Sequence, residues 1–194
     1  MGHVVAMNWG IHLAKGQYVT MLDADDRIDA EKLQLQADYL DANDVGACFT
    51  RARLIDDSGA PFTDEKHPRA KLLKPENRTE EQWHAFFTGG GNFVFGGIMF
   101  RKEILPTVGP YDPSFNVLHD IDFYARITKE YDVHIIEQPL ASIRIRAGNA
   151  NLSAADGNSE KANAFSNEHI KLRRKHRPMK KGILNGKYMI ATPF

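Results

Sequence analysis

The stretch "YVTMLDADDRID" (residues 18–29) constrains this chain more than any other. A short, apolar, partly β-branched run reads as a buried strand, and it leads directly into Asp23, Asp25 and Asp26. In an open α/β sheet, ligands bind beyond the carboxyl ends of the strands. Alternate residues of an extended segment project the same way, so Asp23 and Asp25 can share a face. Carboxylates this close raise one another's pKa unless a counter-charge intervenes. A bound Mg²⁺ or Mn²⁺ would remove the conflict, because such ions use one or two protein carboxylates and complete their shell with phosphate oxygens. The competing reading is a solvated acidic turn in which Asp29 caps the following helix.

The 194 residues suffice for one ordinary domain with a core, or for a domain with an appendage. Acidic and basic residues balance at 25 each, so no global charge points to nucleic acid. A hydrophobic share of 42% reads as globular. Cys48 is the single cysteine, which excludes an internal disulfide and a multi-cysteine zinc site. No apolar run approaches the roughly 20 residues of a membrane helix, and "MGHVVAMNWG" lacks a signal peptide's basic start and apolar stretch. The expectation is a cytoplasmic protein.

Along the chain, "HVVAMNWGIHLAKG" has partial helical spacing and a glycine stop at Gly16. Residues 29–42 predict an amphipathic helix with Leu33, Ala37 and Leu40 on one face, and "VGACFTRARLID" a strand. Residues 61–78 are polar and irregular and read as a mobile insertion. "TEEQWHAFF" opens a helix with Thr79 as N-cap. "TGGGNFVFGGIMF" is a glycine-rich loop entering a strand; its spacing fits neither a P-loop nor a dinucleotide fingerprint. A helix begins near Leu118, "YDVHIIEQPLASIRIRA" gives two strands broken at Pro139, and residues 159–177 form a last, basic helix. Strands mixed with helices predict an α/β domain over residues 1–155 and a basic helix and tail over 156–194.

A haloacid-dehalogenase-type phosphatase also places Asp-x-Asp after an apolar strand, but continues with a small residue and Thr; here Asp26-Arg27 follows. The order of motifs instead resembles the family 2 glycosyltransferases. "AMNWGIHLAKGQYVTMLDADD" (6–26) is similar to that family's helix leading into a strand ending Asp-x-Asp-Asp. "GGIMFRKEILPTVGPYD" (96–112), "HDIDFYARI" (119–127) and "SIRIRAGNANLS" (142–153) follow in the family's order and spacing.

The resemblance implies a GT-A fold, a mixed sheet with flanking helices, and transfer of a sugar, with inversion, from a nucleotide-diphosphate sugar, most often a UDP-sugar. It places Asp23 near the ribose, Asp25 and Asp23 on a Mn²⁺ or Mg²⁺ ion, and Asp26, Asn8 and Arg146 around the nucleotide. Asp120 falls on the base position, where an ordinary helix N-terminal acid is the alternative. Gly96, Gly97, Trp83 and His119 would face the sugar or acceptor, although a Trp at helical spacing also suits a core. The acceptor, a saccharide or a lipid-linked molecule, is not specified. The basic run Lys171–Lys181 suits an acceptor phosphate, an anionic membrane surface or a solvated helix end. The family's opening β-α-β-α-β unit would precede residue 4; without it a sheet edge stands unpaired and invites another chain. Met7 stands where the family often has Arg, His119 replaces a Glu, and Arg146 replaces a metal-binding His. A cation at 146 would hold diphosphate oxygens directly and weaken the need for metal. The other class of function is a relative that binds nucleotide, or assembles with a partner, without catalysis.

Overall fold

A computed structural model describes residues 2–146 apart from 65, 68, 70–72 and 94, together with 159–176, 182–184 and 187–189. Chain order is α1 (His3–Leu13), β1 (Tyr18–Thr20), β2 (Arg27–Ile28), α2 (Lys32–Ala42), β3 (Ala47–Ile55), α3 (Glu80–Thr88), β4 (Ile98–Arg101), α4 (Leu105–Val108), α5 (His119–Glu130), β5 (Val133–Arg144) and α6 (Ser159–Lys175). A short hairpin, β6 (Gly182–Leu184) with β7 (Lys187–Met189), forms its own two-stranded sheet.

The main sheet runs β1-β4-β3-β5-β2. β3 and β5 are parallel, and the other pairs are antiparallel. β1 and β2 therefore occupy opposite edges, and residues 21–26 carry the chain between them. This crossing is the acidic segment. Among the described residues β1 pairs on one side only, as expected for an unpaired edge.

The period-2 rule sorts the strand side chains into two layers. Ala47 and Phe49 of β3 and Ile98 and Phe100 of β4 enter the main core with Trp83, Phe87, Phe93 and Tyr124. Cys48 and Met99 point the other way, toward Leu40 of α2. The ring of Phe49 meets Phe93 at 4.8 Å and Tyr124 at 5.0 Å between centroids, both edge-on. Leu172 of α6 joins this same core.

Several sequence expectations hold. Thr79 forms a capping box with Gln82 at the start of α3, and α5 begins after Leu118. Others are corrected. The buried face of α2 is Lys32, Gln36 and Leu40, whereas Leu33 is exposed. The polar pair is tolerated because each finds partners: Lys32 Nζ donates to Thr20 Oγ1 at 3.0 Å, and Gln36 Nε2 donates to the carbonyls of Gly97 at 2.9 Å and Cys48 at 3.2 Å. Burial pushes the Lys32 amine down to about 8. Asp29 does not cap α2; it pairs with Arg53 and donates its amide to Leu140. The two strands expected around Pro139 are one strand, β5, because the register slip opposite Arg51 absorbs the missing N–H of proline. Parts of 61–78 lie along β3, with bonds from Phe62 to Leu54 and from Ala52 to Leu73. The boundary expected at 155/156, residues 147–153 of the "SIRIRAGNANLS" stretch and residues 177–181 of the basic run lie outside the described residues.

Arg101, the arginine after the glycine-led strand, pins the turn before β3: its guanidinium donates to the carbonyls of Val45, at 3.0 Å, and Asn43, at 3.1 Å. Gly46 in that turn bonds through both backbone groups, and a Cβ there would meet Cβ of Tyr131 at 2.6 Å. Gly46→Ala is expected to cost about 1–3 kcal/mol of stability, measured by urea unfolding; an unchanged midpoint would mean that Tyr131 yields freely.

Candidate functional site

The acidic crossing is a tight turn closed by the bond from Asp26 N–H to the Asp23 carbonyl at 3.1 Å. It is held against the end of β5. Arg144 donates its backbone N–H to Asp26 Oδ1 and its Nε to the Asp25 carbonyl, both at 2.8 Å, and the Nε of Arg146 meets Asp25 Oδ2 at 2.8 Å. Two arginines two positions apart on an extended segment face the same side, and both reach this turn. Arg144 was missed by the sequence reading, although that alternation was its signal.

The carboxylates differ in charge state. Burial, reinforced by Asp23 and Asp25, pushes Asp26 up to about 6. Asp23 is exposed, yet the protein crowding around it and the charge of Asp25 raise its pKa. The hydrogen bond from Arg146 holds Asp25 low.

Asp120 lies in the first turn of α5, buried, with Oδ1 accepting the Ile121 N–H at 2.8 Å. Burial pushes its carboxyl up to about 7, and Asp23 and Glu168 add to the rise. The influence of Asp23 brings Asp120 and the acidic turn into one electrostatic neighbourhood. The hydroxyls of Tyr111 and Tyr124, which also feel Asp120, have no hydrogen-bond partner among the described residues. The ring of His119 packs edge-on against His3, Phe95 and Tyr111, and burial pushes it down to about 4. Gly96 and Gly97 are buried in the 3-10 turn ahead of β4, and Gly96 sits beside Leu22 of the crossing segment.

Asp122, the nearest alternative acid, is committed elsewhere. Burial would raise it, but bonds from His176 and Lys175 and the charge of Arg126 hold it low.

Two expected site residues are corrected. Trp83 is 1% exposed, stacked on Phe87 and edge-on to Phe93, so its ring has no free face for a sugar. Asn8 spends its carboxamide on the backbone of Tyr111, donating to the carbonyl at 2.8 Å and accepting the N–H at 3.0 Å. Its work is to fasten α1 to the turn before α5.

Asp23 and Asp25 offer the hard oxygen donors that Mg²⁺ or Mn²⁺ prefers. Among the described residues no three His, Cys, Asp or Glu side chains converge on one point. A cation here would thus draw most of its ligands from phosphate and water, the usual habit of Mg²⁺. The carboxyls of Asp23 and Asp26 are raised chiefly by burial and further by the neighbouring carboxylates, a crowding that a cation would relieve.

This arrangement, an acidic turn crossing the end of a mixed sheet beside a buried helix-borne acid, defines a GT-A fold. Crystal structures of S. aureus TarS 1-349 share it: the complex with UDP superposes with a TM-score of 0.56 at 13% identity, covering 95% of this chain and 47% of TarS. The complex with UDP-GlcNAc gives 0.56 at 13% identity, over 87% and 50% of the two chains. The family model for glycosyl transferase family 2 matches residues 1–109, and the chain belongs to that family. An uncharacterized glycosyltransferase of Methanocaldococcus jannaschii, MJ1057, is 29% identical over 75% of this chain and 48% of its own length. YwdF of Bacillus subtilis, also an uncharacterized glycosyltransferase, is 26% identical over 73% and 49%. The chain spans about half the length of the curated relatives it matches.

A carboxyl whose folded pKa is raised favours the folded state below its unfolded value, near 3.8, and that contribution disappears as pH rises through about 7. Asp120→Asn keeps the acceptor for Ile121 and removes the buried charge. It is expected to stabilise the chain by about 2–4 kcal/mol at pH 8 and hardly at all at pH 4. Urea unfolding at the two pH values is the measurement, and equal effects at both would show that Asp120 ionises normally.

Proposed function

We propose that this chain moves a sugar from a nucleotide-diphosphate sugar, with UDP as the carrier, to an acceptor hydroxyl, inverting the anomeric carbon. The observation that carries the reading is the conjunction at one end of the sheet: a turn of carboxylates tied to β5 arginines, and a separate buried acid pushed to about 7. The UDP and UDP-GlcNAc complexes of TarS support the choice of donor.

Asp120 takes the proton from the acceptor hydroxyl. A carboxyl near 7 is half ionised at neutral pH and still basic enough to draw that proton in the transition state. The freed oxygen attacks the anomeric carbon from the face opposite the diphosphate. The new C–O bond forms as the bond to the diphosphate oxygen breaks, and UDP departs with that electron pair. Arg146, paired with Asp25, would offer its guanidinium to the diphosphate oxygens. Asp25 and Asp23 would hold a divalent cation, which supplies Lewis-acid charge against the departing diphosphate. Arg144 keeps the turn in place from behind. His119, held neutral, shapes the wall beside Asp120.

A second reading is a chain that binds nucleotide, or docks on a partner or a second copy, without transfer. The one-sided pairing of β1 favours it, as does the exposure of Trp9, Leu13 and Leu22 around α1 and the crossing segment.

Calorimetry with UDP, with and without Mn²⁺, tests both. Binding is expected, weakened about tenfold or more in Asp25→Ala; no binding by the parent chain would remove every nucleotide reading. Where UDP binds, Asp120→Asn should lower transfer or donor hydrolysis by about 10²–10⁴-fold without weakening UDP. Unchanged turnover would eliminate Asp120 as base.

A further inference from the structure

Helix α5 begins without a cap of its own. Leu118 stands at the N-cap position and offers no side-chain acceptor, and the amides at a helix start require partners. Inside the first turn the Ile121 N–H finds Asp120 Oδ1, and the backbone leading into the helix is held from α6. Glu168 Oε1 accepts the N–H of Asn116 at 2.8 Å, and its Oε2 accepts those of Val117 at 2.9 Å and Leu118 at 2.8 Å. A carboxylate at a helix N-terminus is doubly suited, since these bonds are charge-assisted and the helix dipole favours an anion there.

The same helix grips α5 again beyond Asp120. Lys175 Nζ meets Asp122 Oδ1 at 2.7 Å, and His176 Nε2 meets it at 3.0 Å. Leu172, fully buried, seats α6 between the two grips. Lys171 and Lys175 extend the hold to the preceding turn, through the Ser114 carbonyl at 2.7 Å and Asp112 Oδ2 at 2.8 Å. Asp120 is therefore bracketed: the backbone before it and the carboxylate after it are both fastened to α6.

We infer that α6 is a positioning element of the transferase site, with Glu168, which holds the backbone leading into α5, setting where the Asp120 carboxyl stands. This rests on the proposed role of Asp120 as base. Charged and titratable groups bearing on Asp120 are Asp23 from the crossing segment, Glu168 from α6, and the phenols Tyr111 and Tyr124. Glu168 is the one among them that also holds the backbone in front of it.

Glu168→Gln keeps the size of the side chain and loses its charge and one acceptor. Three readouts test the inference. Amide hydrogen exchange at residues 116–118 should quicken by about tenfold or more. The kcat for sugar transfer should fall by about 10- to 100-fold, as a misplaced catalytic group requires. The Kd for UDP should stay within about twofold, because the bonds of Glu168 go to residues 116–118 and not to the acidic turn or Arg146. Unchanged exchange, or faster exchange with unchanged kcat, overturns the inference; so does a fall in kcat matched by an equal loss of UDP affinity. Arg174→Gln, which removes an exposed charge of α6, should behave as the parent chain, and a similar loss there would assign the effect to the charge of α6 in general. If Glu168→Gln does not fold, Glu168→Asp, with its charge one methylene short of the amides, is expected to show the same split in smaller measure. A parent chain that neither binds UDP nor transfers sugar refutes the base reading instead, and exchange alone then decides whether Glu168 holds the entry to α5.

Discussion

Arg144 joins two things that would otherwise separate. Its backbone continues β5, while its amide and side chain hold the carboxylate of Asp26 and the carbonyl of Asp25. The acidic segment has to travel from one edge of the sheet to the other, and a turn carrying three carboxylates has an electrostatic reason to swing into water. Arg144 reaches further, to the carbonyls of Asp56 at 2.6 Å and Asp57 at 2.9 Å, so the ends of β3 and β5 and the crossing segment share one guanidinium. Such a planar, permanently charged fork can serve several acceptors at once, which a lysine cannot do with the same rigidity.

The other elements at this end are fixed by comparable polar contacts. Asn8 fastens α1 to the turn before α5, and Asn77 treats β5 in the same way, accepting the Ile135 N–H at 2.8 Å while donating to its carbonyl. Beneath the start of the crossing segment, buried Lys32 binds Thr20, whose hydroxyl in turn donates to the Ile98 carbonyl at 2.6 Å. Buried polar groups add little net stability compared with apolar packing, but leaving one unmatched is expensive. They therefore specify register: a slip of β1 against β4 would orphan Lys32 as well as misplace Val19.

The general architecture was legible in the sequence because it depends on local chemistry. The capping box at Thr79 and the helix start after Leu118 are signals that neighbouring residues carry. The acidic turn was legible for the same reason. What escaped was what distant segments decide. Leu33 looked buried because it completes an apolar stripe, but α2 turns Lys32 and Gln36 inward, where Thr20, Cys48 and Gly97 happen to offer partners. Asn8 fits the family's motif, yet only the fold reveals that Tyr111 consumes its amide. Pro139 reads as a strand breaker until β3 supplies the bulge that accommodates it. Glu168 had no signal at all, since a glutamate in a charged helix is indistinguishable from its solvated neighbours.

Asp120 and Asp122 sharpen the contrast between structural and chemical charge. They lie on one helix turn, and both are buried. Asp122 is met by Arg126, Lys175 and His176, and these outweigh its burial and hold it low. Such a group is a rivet: removing either side leaves a buried charge uncompensated, at several kcal/mol, and its proton is unavailable near neutral pH. Asp120 has no such cation among the described residues. It has one backbone amide, two phenols and the negative charges of Asp23 and Glu168 nearby, so its proton affinity rises toward the pH at which a cell operates. Neighbouring acids are driven apart in this way: one holds a helix in place, and the other keeps a proton affinity near neutrality. Through Lys175 and His176 α6 offsets the charge of Asp122, and through Glu168 it holds the backbone before Asp120, while the Asp120 carboxyl itself stays uncompensated.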